Sequence, residues 1–130
     1  MIKVSVLYPN RAGTKFDMAY CLNHHIPLVR QLLGSALKAV SVEHGISGEE
    51  PGSPAPYVTT CHLLFDSVQA YQTSFGPHAQ EIIEDIPKYT DSQPLIQLGE
   101  VQALAMATMG GCFRKRQSAR DPEVVGLCAR

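Results

Sequence analysis

Between Phe16 and Leu28 the chain runs Phe-Asp-Met-Ala-Tyr-Cys-Leu-Asn-His-His-Ile-Pro-Leu, which brings the Tyr20 phenol and the His24 and His25 imidazoles into one short stretch. Histidine is the side chain that titrates nearest neutrality, so proton transfer is the chemistry such a cluster offers. On a helix Tyr20 and His24 stand one turn apart, and His25 points about a third of a turn away. Pro27 has no amide hydrogen and pushes Ile26 out of the α region, so a helix starting near Phe16 is expected to stop at about His25. His25 then lies at the helix end, facing whatever that end covers. The adjacent His24-His25 pair is a poor metal chelate, because consecutive helical residues diverge.

These residues need a scaffold, and 130 residues with 45% hydrophobic content suit one compact domain with a real core. The opening Met1-Ile2-Lys3-Val4-Ser5-Val6 alternates like a strand rather than reading as a signal peptide. No run approaches the roughly 18 apolar residues of a membrane span. A cytoplasmic protein with no membrane association is the expectation. Cys21, Cys61, Cys112 and Cys128 are too scattered for paired metal ligation and are expected to be reduced thiols, with no metal bound.

Net charge is −1, unevenly spread: residues 1–101 hold six Lys and Arg against ten Asp and Glu, and 102–130 hold five against two. Arg114-Lys115-Arg116 lacks the interleaved aromatics of a nucleic-acid surface, so no nucleic-acid partner is expected. Residues 1–101 form the expected domain. Residues 102–130 form a basic C-terminal extension, expected to be flexible or loosely packed.

Ile2, Val4, Val6 and Tyr8 alternate with Lys3, Ser5 and Leu7 as a strand does, and Pro9 to Gly13 is a turn. After Pro27 a second helical stretch places Leu28, Val29, Leu32 and Leu33 at helical spacing up to Gly34, so the first helical region is expected to be broken in two. Leu37 to Ile46 is a strand. Ser47 to Pro56 is a long connection too rich in Pro and Gly for a ladder. Tyr57 to Phe65 is the next strand, with Tyr57, Thr59, Cys61, Leu63 and Phe65 on one face and Val58, Thr60, His62 and Leu64 on the other. Asp66-Ser67 caps a helix whose stripe of Val68, Tyr71, Phe75, Ile82, Ile83 and Ile86 is interrupted at Gly76-Pro77. Glu81, Glu84 and Asp85 are assigned to its solvent side, Pro87 ends it, and Pro94 to Val101 is the last strand.

The order βαββαβ is that of an α+β, ferredoxin-like fold: a four-stranded antiparallel sheet carrying two helices on one face. Strand three is apolar on both faces, so the open face is expected to be buried too, by a homodimer packing sheet on sheet. An apolar interior dotted with His62, Thr60, Ser5 and Lys3 would there make a pocket for a small molecule.

From about Ile2 to Val101 the sequence resembles the EthD family of the dimeric α/β-barrel superfamily. The likeness rests on Val6-Leu7-Tyr8-Pro9-Asn10 leading to Phe16-Asp17, on Tyr20 followed by His25-Ile26-Pro27-Leu28, on Phe65-Asp66-Ser67, and on Pro94 to Val101. It implies a two-subunit barrel of ferredoxin-like protomers and an oxidoreductase role. His25 matches the family's His-x-Pro motif and Tyr20 its aromatic partner five residues earlier. Cys21 departs from the pattern, which often has a second aromatic there, and the segment after Val101 has no counterpart.

Related barrels include monooxygenases that use neither metal nor flavin, polyketide cyclases, isomerases and haem enzymes, so fold alone does not choose the reaction. The chain has no phosphate-cradling glycine motif, dinucleotide fingerprint or clear metal triad, and acid-base chemistry without a cofactor fits that inventory. His25 or His62 would take a proton from a phenolic or enolisable, small hydrophobic or aromatic substrate. Tyr20 or Tyr8 would hydrogen-bond the developing oxyanion, and Tyr8, Asn10, Arg11 and Thr60 would line the substrate site. The carbanion would then react with oxygen, as in a monooxygenase, or ring-close or isomerise, as in a polyketide cyclase or isomerase. Each residue also has a plainer role: His25 as a helix-end cap, His62 as a hydrogen-bonded core residue, Tyr20 as packing, and Tyr8, Asn10 and Arg11 as turn builders. A small-molecule carrier without activity is the second class of function, and haem held by a histidine the alternative cofactor.

Overall fold

Each β-like alternation in the sequence becomes a strand in the computed structural model, which describes residues 1–105. Met1–Glu100 is one compact unit. Four strands, β1 (Ile2–Pro9), β2 (Ala39–His44), β3 (Tyr57–Phe65) and β4 (Leu95–Glu100), form one antiparallel sheet in the order β2-β3-β1-β4. Two helical regions, α1 (Met18–Tyr20) continued through a π-turn into α2 (Ile26–Leu33), and α3 (Val68–Phe75) followed by α4 (Ala79–Asp85), complete the α+β ferredoxin-like fold.

The period of two decides which residues meet the helices. Ile2 and Val4 of β1 and Phe65 of β3 pack against Val29 and Leu33 of α2 and Ile82 of α4. The opposite face carries Lys3, Ser5, Leu7, Thr60, His62 and Leu64, each only half-buried. Every residue of β4 is exposed.

The expectation that Pro27 ends the first helix is not met. Helix runs from Met18 to Leu33 without a stop, and Ile26 keeps α dihedrals (φ −64°, ψ −43°) although a proline follows it. The accommodation is a π-turn over Cys21–His25, in which the Ile26 N–H donates to the Cys21 carbonyl five residues back. In strict α geometry the Pro27 ring would strike the Asn23 carbonyl, and the wider turn relieves that clash. The second helical region breaks where expected, with a 3₁₀ turn at Gly76–His78, and ends in another at Ile86–Lys88.

A second departure lies in β3. The register with β1 shifts between Tyr8 and Pro9, leaving an extra residue on β3. Val58, assigned by simple alternation to the face of Thr60 and His62, therefore packs with the Tyr8, Cys21 and Tyr89 cluster on the helix side.

The segments entering α1 and leaving α4 are tied together. Phe16 and Thr90 form an isolated antiparallel bridge, the Asp17 N–H donates to the Tyr89 carbonyl at 2.7 Å, and the Thr90 hydroxyl donates to the Lys15 carbonyl at 2.7 Å. This clasp sets the π-turn against the end of α4.

Candidate active site

The π-turn has a consequence beyond tolerating proline. In an α-helix residues five apart point about 140° from each other, at 100° per residue. The wider turn brings Tyr20 and His25 back toward one side, where both meet Asp85. The Tyr20 hydroxyl donates to Asp85 Oδ1 at 2.9 Å, and His25 Nδ1 lies 2.9 Å from Oδ2. Lys88 Nζ stands 3.6 Å from Oδ1. His25 and Asp85 are only 6% and 7% exposed.

Burial raises the Asp85 pKa, but hydrogen bonds from His25 and Tyr20 and the Lys88 charge outweigh it and hold the carboxyl below its ordinary 3.8. For His25 burial wins instead: it lowers the pKa below 6.5 against the opposing pull of Asp85. Near neutrality the pair is therefore a carboxylate and a neutral imidazole. An ionised carboxylate only accepts, so the proton between them belongs to Nδ1, and Nε2 keeps its lone pair. This is the tautomer a general base requires.

His25 lines a cavity of about 80 Å³ between the sheet and the helices. Its wall is largely aliphatic and aromatic, from Val4, Val29, Leu33, Phe65, Phe75 and Ile82. Ile83 and Ile96, each 53% exposed, also line it, so it meets solvent between α4 and β4. Near His25 stands an aromatic group: the Tyr89 ring is 4.8 Å from the imidazole, and the Tyr89 and Tyr8 hydroxyls are hydrogen-bonded at 2.6 Å. Burial raises both phenol pKa values, and it lifts the Cys21 and Cys61 thiols in the wall to about 11 and about 12. All four stay protonated near neutrality, so they serve as donors or wall, not as anionic nucleophiles.

The residues singled out from sequence fall into separate groups. His25, Tyr20 and Tyr8 come together around Asp85 and the cavity. Tyr20 spends its hydroxyl on Asp85 and is not among the lining residues, whereas Tyr8 is. His62 and Thr60 lie on the opposite face of the sheet: His62 Nδ1 is 3.0 Å from the Ser5 hydroxyl, and Thr60 donates to Glu43 at 3.0 Å. The cavity that His25 lines is on the helix side, so it is a different space from the pocket expected on the open face, which a partner subunit would have to close. Asn10 donates from its side-chain amide to the Ala55 carbonyl at 2.9 Å, and the backbone N–H of exposed Arg11 donates to the Thr14 hydroxyl at 2.8 Å; both build the turn region. His24 and His44 are exposed.

Asp85, assigned to solvent, is corrected to the buried side. The signal was its place in the helical stripe: Asp85 lies three residues after Ile82 and next to Ile86, whereas Glu81 and Glu84 point outward. Tyr89 and Thr59 were also missed. Thr59 is fully buried in the cavity wall.

A macrocycle such as haem needs a pocket of several hundred Å³, in the range of about 300–1,000 Å³ usual for large ligands, so the residues around the cavity of about 80 Å³ do not fit it. Among the described residues no three His, Cys, Asp or Glu side chains converge as metal ligands. Cys112, Cys128 and the Arg114-Lys115-Arg116 cluster lie outside the described residues. Among the described residues no helix is long and apolar enough to cross a membrane.

Fold and site define a class: a ferredoxin-like α+β domain with a histidine–aspartate pair set on an apolar cavity between sheet and helices. The family model for the EthD domain matches residues 14–93, and the chain belongs to the EthD family. It is 39% identical to a crystallised EthD-like protein from Ralstonia eutropha, with a TM-score of 0.75, over 78% of this chain and 92% of the other. An ethyl tert-butyl ether D family protein from Bacillus halodurans matches at 19% identity and a TM-score of 0.55, over 78% and 99%. A protein from Arabidopsis thaliana matches at 15% identity and 0.58, over 82% and 100%; these two likenesses concern the fold. No protein of curated function matches the chain.

Proposed function

We propose that this EthD-family chain is an acid-base enzyme, an oxidoreductase of the cofactor-independent monooxygenase type, acting on a small hydrophobic or aromatic substrate that is phenolic or enolisable. The single observation that carries the proposal is the buried His25–Asp85 pair at an apolar cavity, with Nδ1 committed to the carboxylate and Nε2 left as the base. Nε2 takes the proton, Asp85 stabilises the imidazolium that forms, and Tyr20 and Lys88 hold Asp85. Tyr8, a neutral donor at the same end, hydrogen-bonds the developing oxyanion. The carbanion gives its electron pair to dioxygen, forming a C–O bond; His25 returns its proton to the peroxide, and loss of a second hydrogen from the same carbon, with cleavage of the O–O bond, releases water and leaves a carbonyl. Ring closure or isomerisation of the same carbanion uses the same base.

Turnover of quinol or polyketide-like phenol substrates by two variants tests the assignment. His25→Ala is expected to lower kcat about 10²- to 10⁴-fold, the usual share of a positioned base, and His62→Ala to leave it within about twofold. Turnover surviving His25→Ala would sink the proposal, and ligand binding without turnover in the unsubstituted chain would favour a carrier.

A homodimer in a reducing, cytoplasmic setting belongs to the same proposal. It is supported by half-buried Leu7 and Leu64 and exposed Leu95 on the open sheet face, and by the free thiols of Cys21 and Cys61. Light scattering at micromolar concentration is expected to give twice the 14.2 kDa chain mass. A stable monomer would remove the dimer.

A further inference from the structure

Among the described residues the cavity wall holds one buried side-chain polar atom whose hydrogen bonding the fold leaves open. Thr59 is 0% exposed, yet no described residue bonds its Oγ1. The large majority of buried polar atoms have a partner, so an exception in a cavity wall calls for one. Its position is set by the backbone: Thr59 pairs with Tyr8 across β1 and β3, directly beside the register shift. Such irregularities re-aim side chains next to sites, and same-face neighbours on paired strands stand about 4.5–5.5 Å apart at Cβ. Thr59 therefore lies at the Tyr8, Tyr89 and His25 end of the cavity.

Among the other strong polar atoms there, His25 Nδ1 bonds Asp85, and Tyr8 and Tyr89 share one hydrogen bond, which leaves a single O–H of that pair free. Beside that hydroxyl, His25 Nε2 and Thr59 Oγ1 remain open. No Lys or Arg lines the cavity, so an anionic head group has no partner in it, while Val4, Leu33, Phe65, Phe75 and Ile82 offer only apolar surface.

We propose that Thr59 Oγ1 binds the oxygen of the cavity's ligand. That ligand is a small, neutral molecule with one carbonyl or phenolic oxygen, held at Thr59 and His25, and an apolar body directed toward Phe65 and Phe75. This deepens the functional proposal above and rests on its choice of cavity. It gives the substrate oxygen a donor on the sheet, opposite the helix that supplies the base.

Phenol and benzene, which differ by one hydroxyl, serve as probes for the full-length chain by calorimetry and NMR. The unsubstituted protein is expected to bind phenol more tightly than benzene. Thr59→Val keeps the shape and removes the hydroxyl; it is expected to weaken phenol about 3- to 10-fold, the share of one neutral hydrogen bond, and to leave benzene unchanged. Its melting temperature is expected to hold or rise, because an unpaired buried hydroxyl is lost, and Thr59→Ser is expected to keep the phenol preference. In the unsubstituted chain, phenol is expected to give a nuclear Overhauser contact to the Thr59 methyl, a readout that does not depend on a variant folding. A phenol preference that survives Thr59→Val, no preference in the unsubstituted chain, binding of neither probe, or no contact to Thr59 would overturn the proposal. Because these measurements read binding alone, they stand even if His25→Ala shows that His25 is not the base.

Discussion

Asp85→Asn is expected to lower turnover about 10²- to 10⁴-fold while leaving the fold intact, the range seen when a general base loses its function or its orienting carboxylate. Two donors converge on Asp85, the Tyr20 hydroxyl and the His25 Nδ1–H, and each has its own oxygen. A carboxamide has one accepting oxygen and one NH₂, so one donor must face another donor. If that is His25, the imidazole can escape only by moving its proton to Nε2, which removes the lone pair the mechanism uses. The substitution also removes both influences that raise the His25 pKa and leaves burial, which lowers it, unopposed. The His25 pKa in the variant is therefore expected to fall further below 6.5, followed by the imidazole C–H shift in an NMR titration. The sign for stability follows. Because folded His25 binds its proton less readily than the unfolded chain does, its contribution to stability is complete above about 6.5 and is lost as the pH falls from there through the folded value. Asp85, also depressed, contributes fully above 3.8 and loses its share at still lower pH. Catalytic efficiency is accordingly expected to be flat above neutrality with an acid limb below 6.5. An unchanged His25 titration together with unchanged turnover in Asp85→Asn would remove the pair from the mechanism.

The sheet was legible because its residues alternate under one rule, and Tyr57–Phe65 ends where the Pro- and Gly-rich segment and Asp66-Ser67 bound it. His25 was legible for a different reason: proline two residues later marks the spot as special. What proline does there was not legible. Local sterics predict a stop, whereas the fold keeps the helix and widens one turn, since Tyr20, His25 and the Cys21 side chain all have partners to reach on the far side. Asp85 was hidden by its charge. A carboxylate beside Glu84 reads as solvent-facing, and only its partnership with two residues some sixty positions earlier in the chain makes burial tolerable. Val58 and Thr59 were obscured by the shifted register, which no pattern of alternation announces. The two histidines lie on opposite sides of the sheet: parity on β3 turns His62 to the open face, as its alternation with Cys61 and Leu63 indicates, whereas His25 is placed on the helix side by the π-turn that carries it.

Phe65→Ala is expected to destabilise the domain by about 3–5 kcal/mol, the usual cost of a fully buried phenylalanine. Domains of this kind have only about 5–15 kcal/mol in all, so the loss would be a large fraction of the total. Phe65 is 0% exposed, pairs with Ile2 across the sheet and meets the Tyr71 ring edge-on at 5.2 Å. It also forms part of the cavity wall, which sets where in that range the cost falls. A hole left in a close-packed core is partly refilled when neighbours move in, but here the removed ring opens into a space that β1, β3 and α2 already hold apart. Collapse is therefore limited, and the upper half of the range is expected, with a fall in Tm of about 4–8 °C for each kcal/mol. Benzene should restore part of the loss, by about 2.7 kcal/mol at a hundred times its Kd, because it binds only the folded form. Chemical denaturation with and without benzene measures both. A cost below about 1 kcal/mol, or no recovery with benzene, would mean that the strands and helices close over the gap, and that the cavity is not a space the fold maintains for a guest.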